Sequence, residues 1–234
     1  MLGKLGASLV DFVYPLTCVG CGKMGVDFCS ICKQELEKVE QICPMCGKEN
    51  IGGSVHKMCA KKLGIDGLTA VYTHDEKVMS GLIYRVKFEF NKELLKKFVG
   101  LLDFEVGKRF DMVVPVPLSI YRRNWRGFNQ AKVIANEAGG QLSRPRVEGG
   151  RPNLLVVECL KRVRNTKQQS KIKDRKSRLE NVRGIFEITS DVEGKIVLLV
   201  DDVFTSGATM REATKVLKRA GAKFVWGLVL ARRV

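Results

Sequence analysis

No apolar run in the sequence is long enough to cross a lipid bilayer. The longest runs, such as Ile196–Val200, are far shorter than a membrane helix, which needs about 20 apolar residues. Residues 1–18 contain scattered apolar residues, but no continuous apolar stretch and no small-residue cleavage site ahead of Cys18. They differ from a secretory signal peptide in both respects. We therefore expect a short amphipathic helix here, a cytoplasmic location and no membrane insertion.

Acidic residues are scarce, with 25 Asp and Glu against 41 Lys and Arg, a formal net charge of +16. Part of the surface must be strongly electropositive, which favours polyanionic partners such as nucleic acid or phosphorylated metabolites. The alternative is a solvated basic surface without a partner. Prolines are also few, with 6 among 234 residues, and 45% of the residues are hydrophobic. This length and composition suffice for one domain with a real core and a small appendage.

Cysteine is almost absent from the larger part of the chain, because seven of the eight cysteines lie between Cys18 and Cys59 and the other is Cys159. The seven fall into the motifs CVGC, CSIC, CPMC and HKMC, the last of which adds a histidine. A Cys-x-x-Cys turn directs two thiolates at one point, as tetrahedral zinc requires. The predicted ligands would hold up to two structural zinc ions: Cys18, Cys21, Cys29, Cys32, Cys43, Cys46, His56 and Cys59.

The pairing of these motifs is open. In the simpler arrangement the first two motifs bind one zinc ion and the last two bind the other; in an interleaved arrangement the first motif joins the third. A disulfide framework is the competing interpretation, but seven is an odd number, a histidine completes the last motif and no export signal is present. A segment this small can hardly fold on its own apolar core, so zinc should supply much of its folding free energy.

Beyond about residue 66 the pattern alternates between strand and helix signals. The predicted strands cover 68–74, 111–117, 153–160, 196–200 and 224–231, and the predicted helices cover 76–88, 92–104, 129–139 and 208–221. This alternation predicts an α/β fold, a mostly parallel sheet flanked by helices. We expect two domains: residues 1–64, which contain the N-terminal helix and a double zinc ribbon, and residues 65–234, which form the α/β domain.

The stretch VLLVDDVFTSGATM, from Val197 to Met210, carries the clearest site signal. Asp201 and Asp202 follow a buried strand, and Thr205–Thr209 lead into the predicted helix, where backbone N–H groups and hydroxyls can hold a phosphate. Ligands of such sheets bind beyond the carboxyl ends of the strands. The two acids could accept hydrogen bonds from sugar hydroxyls or hold a hydrated magnesium ion. The alternative is that Asp202 and Thr205 merely cap the helix.

Val197–Met210 resembles the phosphoribosyl pyrophosphate signature of type I phosphoribosyltransferases. With the cysteine motifs, Val114–Ala131 and Arg164–Phe186, it resembles the ComF competence family, which is related to the amidophosphoribosyltransferases. The resemblance implies a type I phosphoribosyltransferase-like fold for residues 65–234, with Asp201 and Asp202 as catalytic residues and Mg²⁺ bound with the donor. It further implies these ligand-binding residues: Val203, Thr205, Ser206, Gly207, Ala208, Thr209, Pro115, Val116, Pro117, Lys87, Arg122 and Arg126.

The ComF family is associated with DNA uptake in natural transformation, so resemblance and charge together imply single-stranded DNA and competence-machinery proteins as partners. Residues 161–183 carry ten Lys and Arg against two acids. They could form a flap over a polyphosphate, a track for a nucleic-acid backbone or a solvated helix face. Trp125 could stack against bases or pack in the core. The candidate nucleic-acid contacts are Arg123, Trp125, Arg164, Lys167, Lys171, Arg175 and Arg178.

Three functions compete at this point. The first is a phosphoribosyltransferase that consumes phosphoribosyl pyrophosphate and has an acceptor that the sequence does not identify. The second is a non-catalytic protein that binds the same donor as a sensor or in DNA handling. The third is a zinc protein that binds single-stranded DNA and keeps only a vestigial sugar-phosphate site.

Overall fold

A computed structural model describes residues 15–102, 104, 106, 108–143, 154–164, 177 and 180–233. The amphipathic helix expected in residues 1–18 falls mostly outside these ranges. The helices are α1 (Ser30–Gln34), α2 (Lys57–Leu63), α3 (Lys77–Phe88), α4 (Lys92–Gly100), α5 (Ile120–Arg126), α6 (Gln130–Leu142) and α7 (Ala208–Arg219), with one 3₁₀ turn at Ile51–Gly53. The strands are β1 (Gly67–Thr73), β2 (Met112–Pro115), β3 (Leu160–Arg162), β4 (Phe186–Ile188), β5 (Ile196–Phe204) and β6 (Phe224–Arg232).

The central sheet has the strand order β1-β6-β5-β2, and each neighbouring pair is parallel. Its central strand β5 is buried on both faces, because successive side chains point to opposite sides. Leu198 and Val200 join the core under α3, α4 and α6. Val197 and Leu199 join a second core under α7 and the antiparallel pair β3–β4. The predicted α/β fold, a mostly parallel sheet with helices on both faces, is confirmed.

Helix α7 follows the predicted apolar spacing. Met210, Ala213 and Leu217 are buried against the sheet, and burial of each large apolar side chain stabilises the fold by about 1.5–3 kcal/mol. The helix ends at Arg219, and Gly221 follows with a φ of +90°. That left-handed backbone suits glycine and turns the chain into β6.

Several predicted elements have different limits. Of the expected strand 153–160, the described residues up to Cys159 contain only an isolated bridge between Val156 and Val113, and the last residue, Leu160, begins β3. The helix expected over 92–104 ends at Gly100, whereas α6 passes through its two glycines to Leu142. Helix α5 was not predicted; Ser119, whose Oγ accepts a hydrogen bond from the Arg122 N–H, begins it.

Both outer strands of the sheet are covered by irregular chain. Along β1, the Val39 N–H donates to the Val71 carbonyl at 3.0 Å, and the Gln41 amide bonds both backbone groups of Ala70. Along β2, the Val113 N–H donates to the Leu155 carbonyl at 2.9 Å, and Val157 donates back to Val113. The backbone groups along these outer strands are therefore partly satisfied within the chain.

The cysteine module, residues 15–64, packs directly on the sheet domain. Cys18, Cys32 and Phe28 belong to the same core as α3 and α4, and the Phe28 and Phe98 rings lie 5.1 Å apart. Although β1 begins shortly after the module, it pairs with β6 in the central sheet. The domain boundary at 64/65 stays a prediction. Within the described residues, no helix has both the length and the apolar composition that a membrane span requires.

Candidate functional site

A cavity of about 400 Å³ opens at the carboxyl edge of the sheet, which is where ligands of open α/β sheets bind. Strand β5, helix α3, the loop after β2, helix α5 and strand β3 all supply side chains to it. The lining residues are His74, Ser80, Ile83, Tyr84, Lys87, Phe88, Val116, Pro117, Leu118, Arg122, Arg126, Arg162, Asp201, Asp202, Val203, Thr205, Thr209 and Arg233.

The two adjacent carboxylates lie within strand β5, which continues to Phe204 instead of ending before them. Asp202 Oδ2 lies 2.7 Å from Lys87 Nζ, and Asp201 Oδ1 accepts the Asp202 N–H at 2.9 Å. Both acids and Lys87 line the cavity. The ion pair therefore faces the space where a ligand would bind.

The two acids have different affinities for protons. Burial, reinforced by the neighbouring charge of Asp202, raises the pKa of Asp201 to about 7. Burial also acts to raise the pKa of Asp202, but the charges of Lys87 and Arg126 outweigh it, so the pKa of Asp202 is lowered. At neutral pH Asp202 is therefore ionised, whereas Asp201 is only partly ionised.

Four arginines line the cavity, of which Arg233 follows β6 and pairs with Asp75 at 3.3 Å. Arg122 and Arg126 project from α5, and Arg162 projects from β3. Burial lowers the pKa of Arg122 and Arg126, and nearby Asp202 opposes that shift. Burial and the like charge of Arg122 lower the pKa of Arg162 to about 10. Arg122, Arg126 and Arg162 all stay protonated at neutral pH.

Arg126 is the clearest indication that the cavity is built for an anion. Its side chain is only 7% exposed, and its Nε has no hydrogen-bond partner among the residues that the structure describes. A buried donor without a partner destabilises a fold by about 1–3 kcal/mol, or more for a charged group. Together with Lys87, Arg122 and Arg162, it gives the wall more positive than negative charge. A bound polyanion would accept a hydrogen bond from Arg126 Nε and would balance the positive charge of the wall.

Helix α7 begins at the cavity without a capping side chain. Gly207, with a φ of +72°, is its N-cap residue and has no side chain to accept the first N–H groups. The interpretation that Asp202 and Thr205 merely cap this helix is therefore wrong. The Ser206 Oγ accepts the Ala208 N–H only weakly, at 3.4 Å. Free N–H groups at a helix N-terminus favour phosphate.

The structure brings most of the predicted donor-site residues to the cavity. Thr205, Thr209, Val203, Val116, Pro117, Lys87, Arg122 and Arg126 line it, whereas Ser206, Gly207, Ala208 and Pro115 do not. Ala208 is buried at the start of α7, and Pro115 is the buried last residue of β2. Arg123 is exposed on α5 and lies outside the lining. Lys167, Lys171, Arg175 and Arg178 lie outside the described residues.

An aromatic surface (Tyr84, Phe88, Phe90 and Trp125) adjoins the cavity, and only Trp125 of these four was predicted from the sequence. Tyr84 and Phe88 line the cavity; their ring centroids lie 5.1 Å apart, and those of Phe90 and Trp125 lie 5.0 Å apart. Trp125 is 49% exposed, so it is not a core residue. Phe90 has a φ of +57° just after α3, a conformation that costs a bulky residue energy and that glycine usually fills.

Arg162 and His74 were not predicted as site residues. Arg162 was counted only as part of a basic segment, yet its strand pairs with β4 and places it in the cavity. No short motif marks it, because its position depends on pairing with residues beyond 185. His74 follows β1 at the carboxyl edge, a position that a strand prediction alone could have indicated.

The cysteine module contains two tetrads of metal-ligating atoms. Within each tetrad these atoms all lie within 4.8 Å of one another: Cys18, Cys21, Cys29 and Cys32 in the first, and Cys43, Cys46, His56 and Cys59 in the second. Cys21 Sγ and Cys29 Sγ are 3.7 Å apart, and Cys46 Sγ lies 3.5 Å from His56 Nδ1. Ligands at about 2.3 Å from a tetrahedral ion have similar separations, so both tetrads fit structural zinc.

The tetrads follow the simpler of the two pairings, and the interleaved one is not formed. The Cys29 N–H lies 3.4 Å from Cys18 Sγ, and the Cys32 N–H lies 3.4 Å from Cys29 Sγ. Backbone donors of this kind stabilise thiolates, which are the form that binds metal. None of the seven cysteines of the module forms a disulfide.

Comparisons with known proteins define the class first. A phosphoribosyl transferase domain model matches residues 113–233, and a double zinc ribbon domain model matches residues 9–61. The chain is thus a phosphoribosyltransferase-domain protein with an N-terminal double zinc ribbon. The two matches agree with the parallel sheet and its cavity and with the two cysteine tetrads.

Relatives then give the family. Competence protein F of Haemophilus influenzae is 29% identical over 92% of this chain and 90% of its own length. Competence protein ComFC of Bacillus subtilis is 30% identical over 82% of this chain and 78% of its own length. DNA utilization protein YhgH of Escherichia coli is 29% identical over 87% of this chain and 89% of its own length. The chain belongs to the ComF family of competence proteins.

Proposed function

We propose that this protein binds phosphoribosyl pyrophosphate together with Mg²⁺ and acts in the handling of DNA during its uptake. The observation that carries the proposal is the cavity itself. It combines a helix N-terminus whose N-cap residue has no side chain, two adjacent carboxylates and five cationic side chains. Competence and DNA utilization are what the names of its relatives state.

Each part of the cavity suits one part of this ligand. The N–H groups at the start of α7, with Thr205 and Thr209, would hold the 5′-phosphate. Asp201 and Asp202 would accept hydrogen bonds from the ribose hydroxyls. The guanidinium groups of Arg122 and Arg126 would contact the pyrophosphate. The resulting order along the cavity is phosphate, ribose and pyrophosphate.

Magnesium fits the acidic side of the cavity, because carboxylate oxygens and phosphate oxygens are the ligands that it prefers. Asp201 and Asp202 would hold the hydrated ion. Bound there, it would neutralise charge on the pyrophosphate. Lys87, which now pairs with Asp202, would be released to contact the ligand or would keep the carboxylate in place.

Titration calorimetry of the zinc-loaded protein with phosphoribosyl pyrophosphate tests the proposal directly. We expect one binding site per chain and heat release that depends on Mg²⁺. Ribose 5-phosphate and inorganic pyrophosphate, each a part of the ligand, should bind more weakly. The absence of binding by the complete ligand with Mg²⁺ would refute the proposed function.

Binding and transfer are separable, because binding needs only the cavity whereas transfer also needs an acceptor. A transferase would release pyrophosphate when its acceptor is present. Assays with free nucleobases, nucleosides and single-stranded DNA as acceptors would detect that release. Tight donor binding without release in any of them favours a donor sensor.

Donor affinity should increase as the pH rises from about 6 to about 8. The pKa of Asp201 is raised to about 7, so this carboxyl is mostly protonated at the lower pH and mostly ionised at the higher one, and only the ionised form attracts Mg²⁺. The phosphates of the ligand titrate in the same direction. Asp201→Asn removes the titrating carboxyl of the protein but leaves the ligand phosphates as they are. The donor affinity of this variant should therefore change less with pH than that of the unaltered protein. An equal pH dependence in both proteins would contradict this assignment.

Single-stranded DNA binding is a second function that a specific observation favours. The four side chains of the aromatic surface are each between 39% and 57% exposed. They lie beside the basic side chains of α5. Exposed rings among cations bind single strands by stacking on bases and contacting phosphates. The strained backbone of Phe90 keeps a bulky ring at that surface. Arg123 and Arg164, both exposed, are candidates for the phosphate contacts.

Replacing Trp125 or Phe90 with alanine should weaken the binding of a single-stranded oligonucleotide about tenfold, because one base–ring stack is lost. Fluorescence anisotropy at fixed salt measures this change. Leu155→Ala removes an exposed apolar side chain that lies beside strand β2 and does not line the cavity, and it should have no effect. If both aromatic variants bind as the unaltered protein does, the DNA lies elsewhere.

The cytoplasmic location and the contacts with competence-machinery proteins stay predictions. So do the nucleic-acid roles of Lys167, Lys171, Arg175 and Arg178.

A further inference from the structure

Helix α3 approaches the first cysteine tetrad more closely than ordinary packing allows. A Cβ atom added to Gly81 would lie 2.4 Å from the Val19 carbonyl oxygen. One added to Gly20 would lie 2.7 Å from Cys32 Sγ and 2.8 Å from Val78 Cγ2. Glycine at these two positions therefore lets the helix backbone and the first knuckle of the tetrad make direct contact.

Arg85 fixes this contact with two hydrogen bonds. Its guanidinium donates to the Thr17 carbonyl at 2.6 Å and to Thr17 Oγ1 at 2.7 Å. Thr17 immediately precedes the first cysteine of the tetrad. Arg85 also lies 3.8 Å from Glu89, one turn further along α3. A bidentate contact from a planar guanidinium fixes orientation as well as distance.

The same helix forms one wall of the cavity with a different face. Ser80, Tyr84, Lys87 and Phe88 line the cavity, and their spacing places them on one side of a helix that turns about 100° per residue. Val78, Gly81 and Arg85 recur at a second side, facing the tetrad. Met79, Leu82 and Val86 form the third side, in the core. The orientation of α3 therefore sets the position of Lys87.

The second tetrad has its close contact with a strand and not with a helix of the cavity wall: a Cβ atom added to Gly53 would lie 2.2 Å from the Leu68 carbonyl oxygen of β1. The segment around it bonds to strand β1: Val55 donates to the Asp66 carbonyl, and Val39 donates to the Val71 carbonyl. The two tetrads thus serve different parts of the sheet domain. The first lies against a helix that lines the cavity, and the second lies along a sheet edge.

We infer that the first tetrad, acting through Thr17 and Arg85, positions helix α3 and with it the Lys87–Asp202 pair for the ligand. Arg85 is a positioning residue, because it does not line the cavity. This inference rests on the proposed sugar-phosphate site. It assigns the zinc of the first tetrad a role in ligand affinity that the zinc of the second tetrad lacks.

Arg85→Ala tests the inference in the zinc-loaded full chain. The affinity for phosphoribosyl pyrophosphate with Mg²⁺ should fall about fivefold to tenfold, a typical coupling between separate sites. Arg85→Lys can keep one of the two hydrogen bonds, so its donor affinity should lie between that of Arg85→Ala and that of the unaltered protein. The zinc content should stay unchanged in both, and amide hydrogen exchange should accelerate along α3 but not along α7.

Lys97→Ala is the matched control. Lys97 on α4 binds Asp27 of the cysteine module at 2.8 Å, so this variant also breaks a contact between module and sheet domain. Helix α4 does not line the cavity, and donor affinity should be unchanged. A loss equal to that of Arg85→Ala would show that any loosening of the module suffices, which would overturn the specific role of Arg85.

Cadmium substitution gives a reciprocal measurement, because coupling between two binding sites acts in both directions. The four-cysteine site and the three-cysteine, one-histidine site should give separate cadmium resonances, because their ligand sets differ. Adding phosphoribosyl pyrophosphate and Mg²⁺ should shift the first and leave the second in place. If the unaltered protein binds no donor, the proposed function fails, and exchange along α3 still decides the role of Arg85. Wild-type affinity and exchange in Arg85→Ala would refute the inference.

Discussion

Replacing Asp201 and Asp202 together with asparagine should abolish the Mg²⁺-dependent binding of phosphoribosyl pyrophosphate, with a loss of at least about a hundredfold. The amides keep the shape of both side chains but carry no charge for the metal ion. The fold should persist, because an amide oxygen at position 201 can still accept the residue-202 N–H that Asp201 accepts now. Calorimetry measures the affinity, and circular dichroism measures the thermal midpoint.

The same double variant should bind inorganic pyrophosphate without Mg²⁺ more tightly than the unaltered protein does. Removing two carboxylates makes the wall, with its five cationic side chains, more positive. Opposite changes with and without the metal are hard to obtain from general damage to the fold. The control is Asp111→Asn combined with Asp191→Asn, which removes two exposed carboxylates outside the cavity. Wild-type donor affinity in Asp201→Asn/Asp202→Asn would refute the assigned site.

Loss of zinc should unfold most of the cysteine module. Metal analysis should find two zinc ions per chain, one for each tetrad. The module buries few large apolar side chains apart from its cysteines, with Val19 and Phe28 the main ones. A structural zinc site in a small domain supplies about 10 kcal/mol or more of folding free energy. After chelation, residues 15–64 should lose their protection from proteolysis, whereas β5, β6 and α7 should keep it.

Cys159→Ala is the control for this experiment, since Cys159 is buried in the sheet domain and belongs to neither tetrad. This variant should bind the same amount of zinc and respond to the chelator in the same way. If the chelated chain keeps a protected module, or if protein purified without chelator contains no zinc, the tetrads do not serve as structural zinc sites.

The parts of the fold that depend on local patterns could be predicted from the sequence. Strand β5 follows from an uninterrupted aliphatic run and α7 from apolar residues at helical spacing, because both patterns match a buried surface. The cysteine spacing indicated two metal sites in the same way. Helix α5 was missed because it is short and Arg126 is its buried residue, so it has no apolar periodicity.

Features that depend on distant contacts could not be predicted. The stretch 153–160 would need one partner strand along its whole length to form a strand, yet Val156 pairs with Val113 of β2 whereas Leu160 pairs with Ile188 of β4. Arg162 reaches the cavity because β3 pairs with β4, more than twenty residues further along the chain. The choice between the two tetrad pairings likewise needed coordinates, since spacing alone permits both.

The segment that carries the second tetrad also covers strand β1, and this has a consequence for the solution behaviour of the protein. If that segment came away, backbone N–H and C=O groups along one side of β1 would face water. Another molecule of the same protein could then add a strand there, which is how exposed sheet edges start self-association. The second zinc ion would thus protect the protein from aggregation, however little it contributes to the affinity for a ligand.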